Sequence, residues 1–168
     1  MRFGKVLFFS GIVFFITIVN SCSSAPGNFV LDPSLSPNET TLVEFGNTVF
    51  VNEYNGIYVH DTWYPNGRGR GNVATLPAGP AVVNFNYGTT LSFGNIIYNP
   101  NGQNVQFNYV FETGKEYFVG MYMEYLGGRN LFSPGNHEYG LAIWDRTSAS
   151  DRKKENAIKT WYLGEIRG

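Results

Sequence analysis

Val105-Gln106-Phe107-Asn108-Tyr109-Val110-Phe111-Glu112 alternates large apolar residues with amides. In an extended chain successive side chains point to opposite faces, so Val105, Phe107, Tyr109 and Phe111 share one side and Gln106 and Asn108 the other. Ala81-Val82-Val83-Asn84-Phe85-Asn86-Tyr87 repeats the pattern, with Val83, Phe85 and Tyr87 against Asn84 and Asn86. A helix would spread these residues around its circumference, whereas a strand sorts them into a dry face and a wet one. Both stretches read as half-buried strands.

Working outward, residues 116–126 set Tyr117, Val119, Met121, Met123 and Tyr125 against Phe118, Gly120, Tyr122 and Glu124. Apolar residues on both sides predict a central strand. Tyr139, Leu141 and Ile143 against Ala142 and Trp144 give another, and residues 41–45 and 48–54 are short β-branched and aromatic runs. Asn55-Gly56 between Tyr54 and Ile57 is a strong hairpin signal, because both turn residues must adopt positive φ. Pro77-Ala78-Gly79-Pro80, Asn99-Pro100-Asn101-Gly102 and Thr113-Gly114-Lys115 supply further turns. Eight or nine strands, with turn signals roughly every ten residues, predict an all-β, antiparallel β-sandwich of the Ig-like or prealbumin-like kind.

The carboxyl end allows two readings. Ser150 can cap a short helix in which Glu155 and Lys159 lie one turn apart and Ile158, Trp161 and Tyr162 share a face. Alternatively, residues 160–166 form a closing strand after a polar loop or helical turn near 147–156.

Composition bounds the rest. The 168 residues suffice for one medium domain, and 43% hydrophobic, 17% aromatic and 15% charged residues exclude a disordered, solvating chain. A net charge of -1 provides no basic surface for nucleic acid. A single cysteine excludes an internal disulfide and a cysteine-rich zinc site.

That cysteine stands at an informative place. Arg2 and Lys5 precede residues 6–19, fourteen residues of which eleven are Val, Leu, Ile or Phe, and no acid occurs before Asp32. This is a basic n-region and an apolar h-region of signal-peptide length, short for a permanent span. Val19-Asn20-Ser21-Cys22 follows directly. The segment resembles a bacterial lipoprotein signal, with Val19 at the aliphatic position, Ser21 before the cut and Asn20 departing from the usual small residue, as in the relaxed motifs of spirochaetes. The resemblance implies that residues 1–21 are removed and that Cys22 carries a thioether-linked diacylglycerol and an amide-linked acyl chain. Two or more chains make such anchoring durable. Residues 22–40, with Pro26, Gly27, Pro33 and Pro37, are expected as the lipidated terminus and a flexible tether, and residues 41–168 as the domain. Residues 23–38 could reach at most about 50 Å if fully extended. Loss of Arg2 and Lys5 leaves ten basic and thirteen acidic residues, a net charge near -3.

A second resemblance covers residues 45–145. Phe50-Val51-Asn52-Glu53-Tyr54-Asn55-Gly56-Ile57-Tyr58-Val59, then Leu76-Pro77-Ala78-Gly79, then Thr113-Gly114-Lys115-Glu116-Tyr117, is similar to PEGA-type surface modules, small bacterial β-sandwiches with a valine-rich strand, an Asn-Gly turn and a Leu-Pro-x-Gly hairpin in that order. The family's Thr-Pro opening and closing Gly-Tyr are missing. The resemblance implies fold, not function.

Residues that could carry chemistry are few. No Gly-x-Ser-x-Gly, His-Glu-x-x-His or phosphate-cradling loop occurs. His60-Asp61 and His137-Glu138 are the only histidines with their neighbouring acids, and a fold that joined them would make a metal-dependent hydrolase conceivable. Adjacent strand residues face opposite ways, however, so each pair offers one side chain per face. Trp63-Tyr64-Pro65-Asn66-Gly67-Arg68-Gly69-Arg70 is a glycine-rich loop with two rings and two guanidinium groups. Trp63, Tyr64, Arg68 and Arg70 are therefore the candidate ligand contacts, suited to a glycan, peptidoglycan or an envelope protein. The expectation is a cell-envelope lipoprotein anchored to the membrane through Cys22, acting as a non-enzymatic structural or binding module, with no cofactor, no bound metal and no nucleic-acid partner.

Overall fold

The computed structural model describes residues 28–60, 72–93, 96–128, 135–148 and 152–167. Twelve strands occur among them: β1 (Asn28–Val30), β2 (Thr40–Phe45), β3 (Val49–Tyr54), β4 (Ile57–Tyr58), β5 (Asn72–Pro77), β6 (Gly79–Gly88), β7 (Leu91–Phe93), β8 (Ile96–Tyr98), β9 (Asn101–Phe111), β10 (Glu116–Gly127), β11 (Asn136–Asp145) and β12 (Lys159–Ile166). A six-stranded sheet runs β1-β5-β2-β10-β11-β12, a four-stranded sheet runs β4-β3-β6-β9, and β7 and β8 form a separate ribbon. The all-β expectation holds.

The pairing is not purely antiparallel. β1 lies parallel to β5, and β2 parallel to β10. The cause is where the chain turns. The link from β5 to β6 and the link from β9 to β10 each pass from one sheet to the other. The Pro77–Pro80 segment is thus a corner between sheets, not the hairpin implied by the PEGA-type resemblance. A strand that leaves its sheet and is later replaced by a distant segment can acquire a parallel neighbour; a simple hairpin chain cannot.

Alternation decides what each strand buries. Thr41, Val43 and Phe45 of β2 and Ala81, Val83, Phe85 and Tyr87 of β6 are buried. Both sheets contribute to one core cluster, which also holds Tyr54, Phe107, Phe111, Tyr117 and Leu141. Its rings meet edge to face: Phe85 and Phe107 at 5.7 Å, Phe111 and Tyr117 at 5.1 Å between centroids. Burying each such side chain contributes about 1.5–3 kcal/mol, and favourable ring geometry adds about 0.5–1.5 kcal/mol per pair.

β10 is central, with Tyr117, Phe118 and Val119 all buried. A second cluster of Phe118, Tyr122, Ala142 and Trp144 explains its apolar outer side. The connection before β12 covers this cluster. Trp144 Nε1 donates to the Lys153 carbonyl at 2.8 Å, Ile158 N to the Ile143 carbonyl at 2.7 Å, and the Arg152 guanidinium lies 3.3 Å over the Phe118 ring. Of the two carboxyl-terminal readings, the strand is the one observed: a 3-10 turn at Lys154–Asn156 leads into β12.

The stretch expected as a tether differs in its described part. β1 pairs with β5, Leu31 N donates to the Thr75 carbonyl at 3.1 Å, and Phe29 and Leu31 pack against the core. Phe29 and Leu31 are two residues apart, so a short strand puts both on the core side despite the prolines that follow. The Asn55-Gly56 hairpin behaves as expected, with φ of 50° and 77°. The Asn55 side chain also reaches the next strand, its Oδ1 accepting from Val82 N at 2.8 Å.

Candidate functional site

The wet face of the four-stranded sheet carries a row of polar side chains. Cross-strand register aligns Tyr58 with Glu53, Glu53 with Asn84, and Asn84 with Gln106, so one side chain from each of β4, β3, β6 and β9 lines up on the same side. Tyr58 is 60% exposed. Asn84 Oδ1 is buried and has no hydrogen-bond partner among the described residues. A carbonyl oxygen shielded from water without a donor costs free energy that a ligand N–H or O–H would recover.

Asn86, next on the same face, is fully engaged. It exchanges amide hydrogen bonds with Asn52 at 3.0 and 3.3 Å and accepts from Asn104 N at 2.9 Å. Two register irregularities meet there, between Val51 and Glu53 on β3 and between Phe85 and Tyr87 on β6. One amide thus holds three strands where their ladders break, while Asn84, two residues away, holds none.

Beyond Tyr58 lies His60, its ring centroid 6.3 Å from that of Tyr58. The chain then enters residues 61–71. Trp63, Tyr64, Arg68 and Arg70, the contacts expected from sequence, lie outside the described residues, as does Cys22.

The two histidines stand in different settings, His60 outside the strands and His137 within the six-stranded sheet. His60 follows β4 at the margin of the smaller sheet; His137 is buried in β11, with Tyr125 of β10 at 5.2 Å between ring centroids and Ile166 of β12 aligned across from it. Its Nδ1 lies 3.3 Å from the Gly135 carbonyl. Glu138 is engaged elsewhere, with Lys154 and with the Tyr122 hydroxyl, which donates to it at 3.2 Å. Among the described residues no three His, Cys, Asp or Glu side chains gather as a metal-holding group.

Lys154 is the hub of the opposite surface. Its ammonium bonds Glu124 at 2.7 Å, bonds Glu138, and lies 5.6 Å from the Tyr122 ring centroid. The Lys154 hydrogen bond holds the Glu138 carboxyl below its ordinary value, and the two carboxylates raise the Lys154 pKa. Burial first, then the Glu138 charge, pushes the Tyr122 hydroxyl up to about 12. Beside it opens a shallow cleft of about 440 Å³ lined by Glu124, Lys154, Ile158 and Thr160. Because the ammonium already has two carboxylates, this group fastens the covering segment onto β10 and β11.

The amide row was legible as the wet side of two strands, but sequence reasoning did not single it out as a site. Its signal was the unbroken use of uncharged amides, Asn84, Asn86, Gln106 and Asn108, where solvent-facing strand positions commonly carry Lys or Glu. Comparison of the chain with protein-family models, with curated proteins and with solved structures finds no match.

Proposed function

We propose that this chain is a lipid-anchored module of a bacterial cell envelope, a non-enzymatic two-sheet sandwich held at a membrane through Cys22. The observation that carries this reading is the position of the only cysteine, at the end of a basic-then-apolar leader and after Val19-Asn20-Ser21. Six residue steps lead from Cys22 to Asn28, where β1 begins. At about 3.3–3.6 Å per residue they span at most about 20 Å, so the sandwich would ride close to the headgroups instead of about 50 Å away. The test is detergent-phase partitioning of the expressed protein combined with intact-mass measurement. The mature chain is expected in the detergent phase, starting at Cys22 and heavier than its peptide by a diacylglycerol and an acyl chain; Cys22→Ala is expected to lack that added mass. A mature chain that starts elsewhere, or weighs no more than its amino acids, overturns the reading.

A second reading is favoured by the polar row and its unpartnered Asn84 oxygen: the module binds a glycan across the smaller sheet, with Trp63 and Arg68 as further contacts. Amides both donate and accept, as sugar hydroxyls require, and Tyr58 provides a ring for a pyranose face. Retention on purified sacculi is expected to fall at least tenfold in Asn84→Ala/Gln106→Ala and in Trp63→Ala/Arg68→Ala, a loss of about 1.4 kcal/mol or more. Unchanged retention in both double variants retires this reading and leaves the anchored module standing.

A further inference from the structure

We propose that β9 is a self-association edge, through which two copies of this chain join their four-stranded sheets into one continuous sheet. A strand at the edge of a sheet presents unpaired N–H and C=O groups, and proteins that remain monomeric blunt such edges with short length, charge, proline or bulges. Among the described residues the two larger sheets have four edges, and three of them are blunted in these ways. β1 is three residues long and β4 two. β12 carries Lys159 and Glu165 and meets β11 across a register irregularity at Tyr139 and Gly140.

β9 has no such protection along most of its length. It is eleven residues long, Asn-Gly-Gln-Asn-Val-Gln-Phe-Asn-Tyr-Val-Phe, without a charge or a proline. Its only ladder among the described residues is with β6. The irregularity in that ladder, with Asn104 at φ 53°, is confined to the first part of the strand. From Val105 to Phe111 the register against β6 is unbroken. This run is also pre-ordered: Phe107 and Phe111 are buried in the core, and Phe107 packs on Trp161 at 5.1 Å between ring centroids. A second strand adding here would order little that is not already fixed, which lowers the entropic cost of association.

The sequence of this run is complementary to itself. A two-fold axis through Asn108, normal to the sheet, pairs Phe107 with Tyr109 and Val105 with Phe111 on the core side. On the outer side it pairs Gln106 with Val110, which is 60% exposed, and Asn108 with its own copy. On the core side apolar residues meet apolar ones, on neither side do like charges oppose each other, and both sandwiches keep their cores on the same side of the sheet. An uncharged, self-matching strand fits a second copy of this chain better than a charged peptide. The inference does not depend on the lipid anchor or on a glycan ligand.

Asn108 gives a direct test, because its side chain is exposed and would stand on the dyad. The full chain is studied by sedimentation in density-matched detergent, with circular dichroism to verify folding. Wild type is expected to be dimeric. Asn108→Lys and Asn108→Glu, each of which places like charges opposite one another, are each expected to keep the wild-type spectrum and to dimerise on the order of tenfold or more weakly. An equimolar mixture of the two variants is expected to restore the dimer, since opposite charges then meet. A monomeric wild type, a dimer unaffected by both substitutions, or a mixture no tighter than its components overturns the proposal.

Discussion

Gly140→Ala is expected to lower the unfolding free energy by about 3 kcal/mol or more, read as a shift in the urea midpoint at constant slope. Gly140 lies in β11 between Tyr122 of β10 and Tyr162 of β12. A Cβ there would collide with the Trp161 carbonyl oxygen and would lie 2.5 Å from Tyr122 Cε1. The first of these is backbone, so a side-chain rotation cannot relieve it. β12 pairs Tyr139 with Gly164 and Gly140 with Tyr162, leaving an extra residue in β12 at this point. The substitution therefore presses on a strand that is already irregular, and relief requires β12 to lift from β11. Gly56 offers the contrast. A Cβ there meets nothing within 4 Å, but φ is +77°, so Gly56→Ala is expected to cost only about 1 kcal/mol, through backbone strain alone. Equal losses at the two sites would mean that β12 does not close over Gly140 as described.

The second large effect is expected in alkali. The hydroxyls of Tyr54, Tyr87, Tyr109 and Tyr122 are all pushed from 10.0 to about 12, in each case first by loss of hydration. Neighbouring groups add to the shift, through a hydrogen bond to Tyr139 for Tyr87, the nearby Tyr117 for Tyr109 and the Glu138 charge for Tyr122. In the unfolded chain these phenols ionise near 10, before they can do so in the folded one. The unfolded state then binds fewer protons, so stability is intact below pH 10 and falls as pH rises toward 12. Because four groups share the shift, the fall is expected to be steep and to end in cooperative unfolding. Tyrosinate absorbance for these groups should rise together with the loss of the β-sheet signal. Tyr54→Phe isolates one of them. It removes the hydrogen bond to the Pro77 carbonyl at 3.0 Å, costing about 1 kcal/mol at neutral pH, and makes the fall above pH 10 shallower. Full ionisation near pH 10 with the sheet signal unchanged would refute the burial of these hydroxyls.

What could be read in advance follows from what is local. Alternation in residues 81–87 and 105–111 identifies the buried and wet faces correctly, because side-chain direction depends only on an extended backbone. The Asn55-Gly56 turn is equally local, since its positive φ values are tolerated by these two residue types. The Pro77–Pro80 turn was visible, but nothing within four residues distinguishes a hairpin from a corner between sheets. Phe29 and Leu31 were hidden among prolines, and only the exposed side of β5 explains why they dock. The polar row at Tyr58, Glu53, Asn84 and Gln106 draws on four strands, and no local pattern reports their register.

By itself, then, the amino-acid sequence determined that the chain would be built of strands, which residues of each would turn inward, and that its one cysteine follows an apolar stretch. Tertiary structure alone decided which strands are neighbours, where parallel pairs arise and, among the described residues, which amide oxygen has no donor and which strand edge has no neighbour. The physical reason is range. Side-chain alternation and turn conformation are set by adjacent peptide units, whereas strand order is set by which distant faces exclude water most completely when packed together.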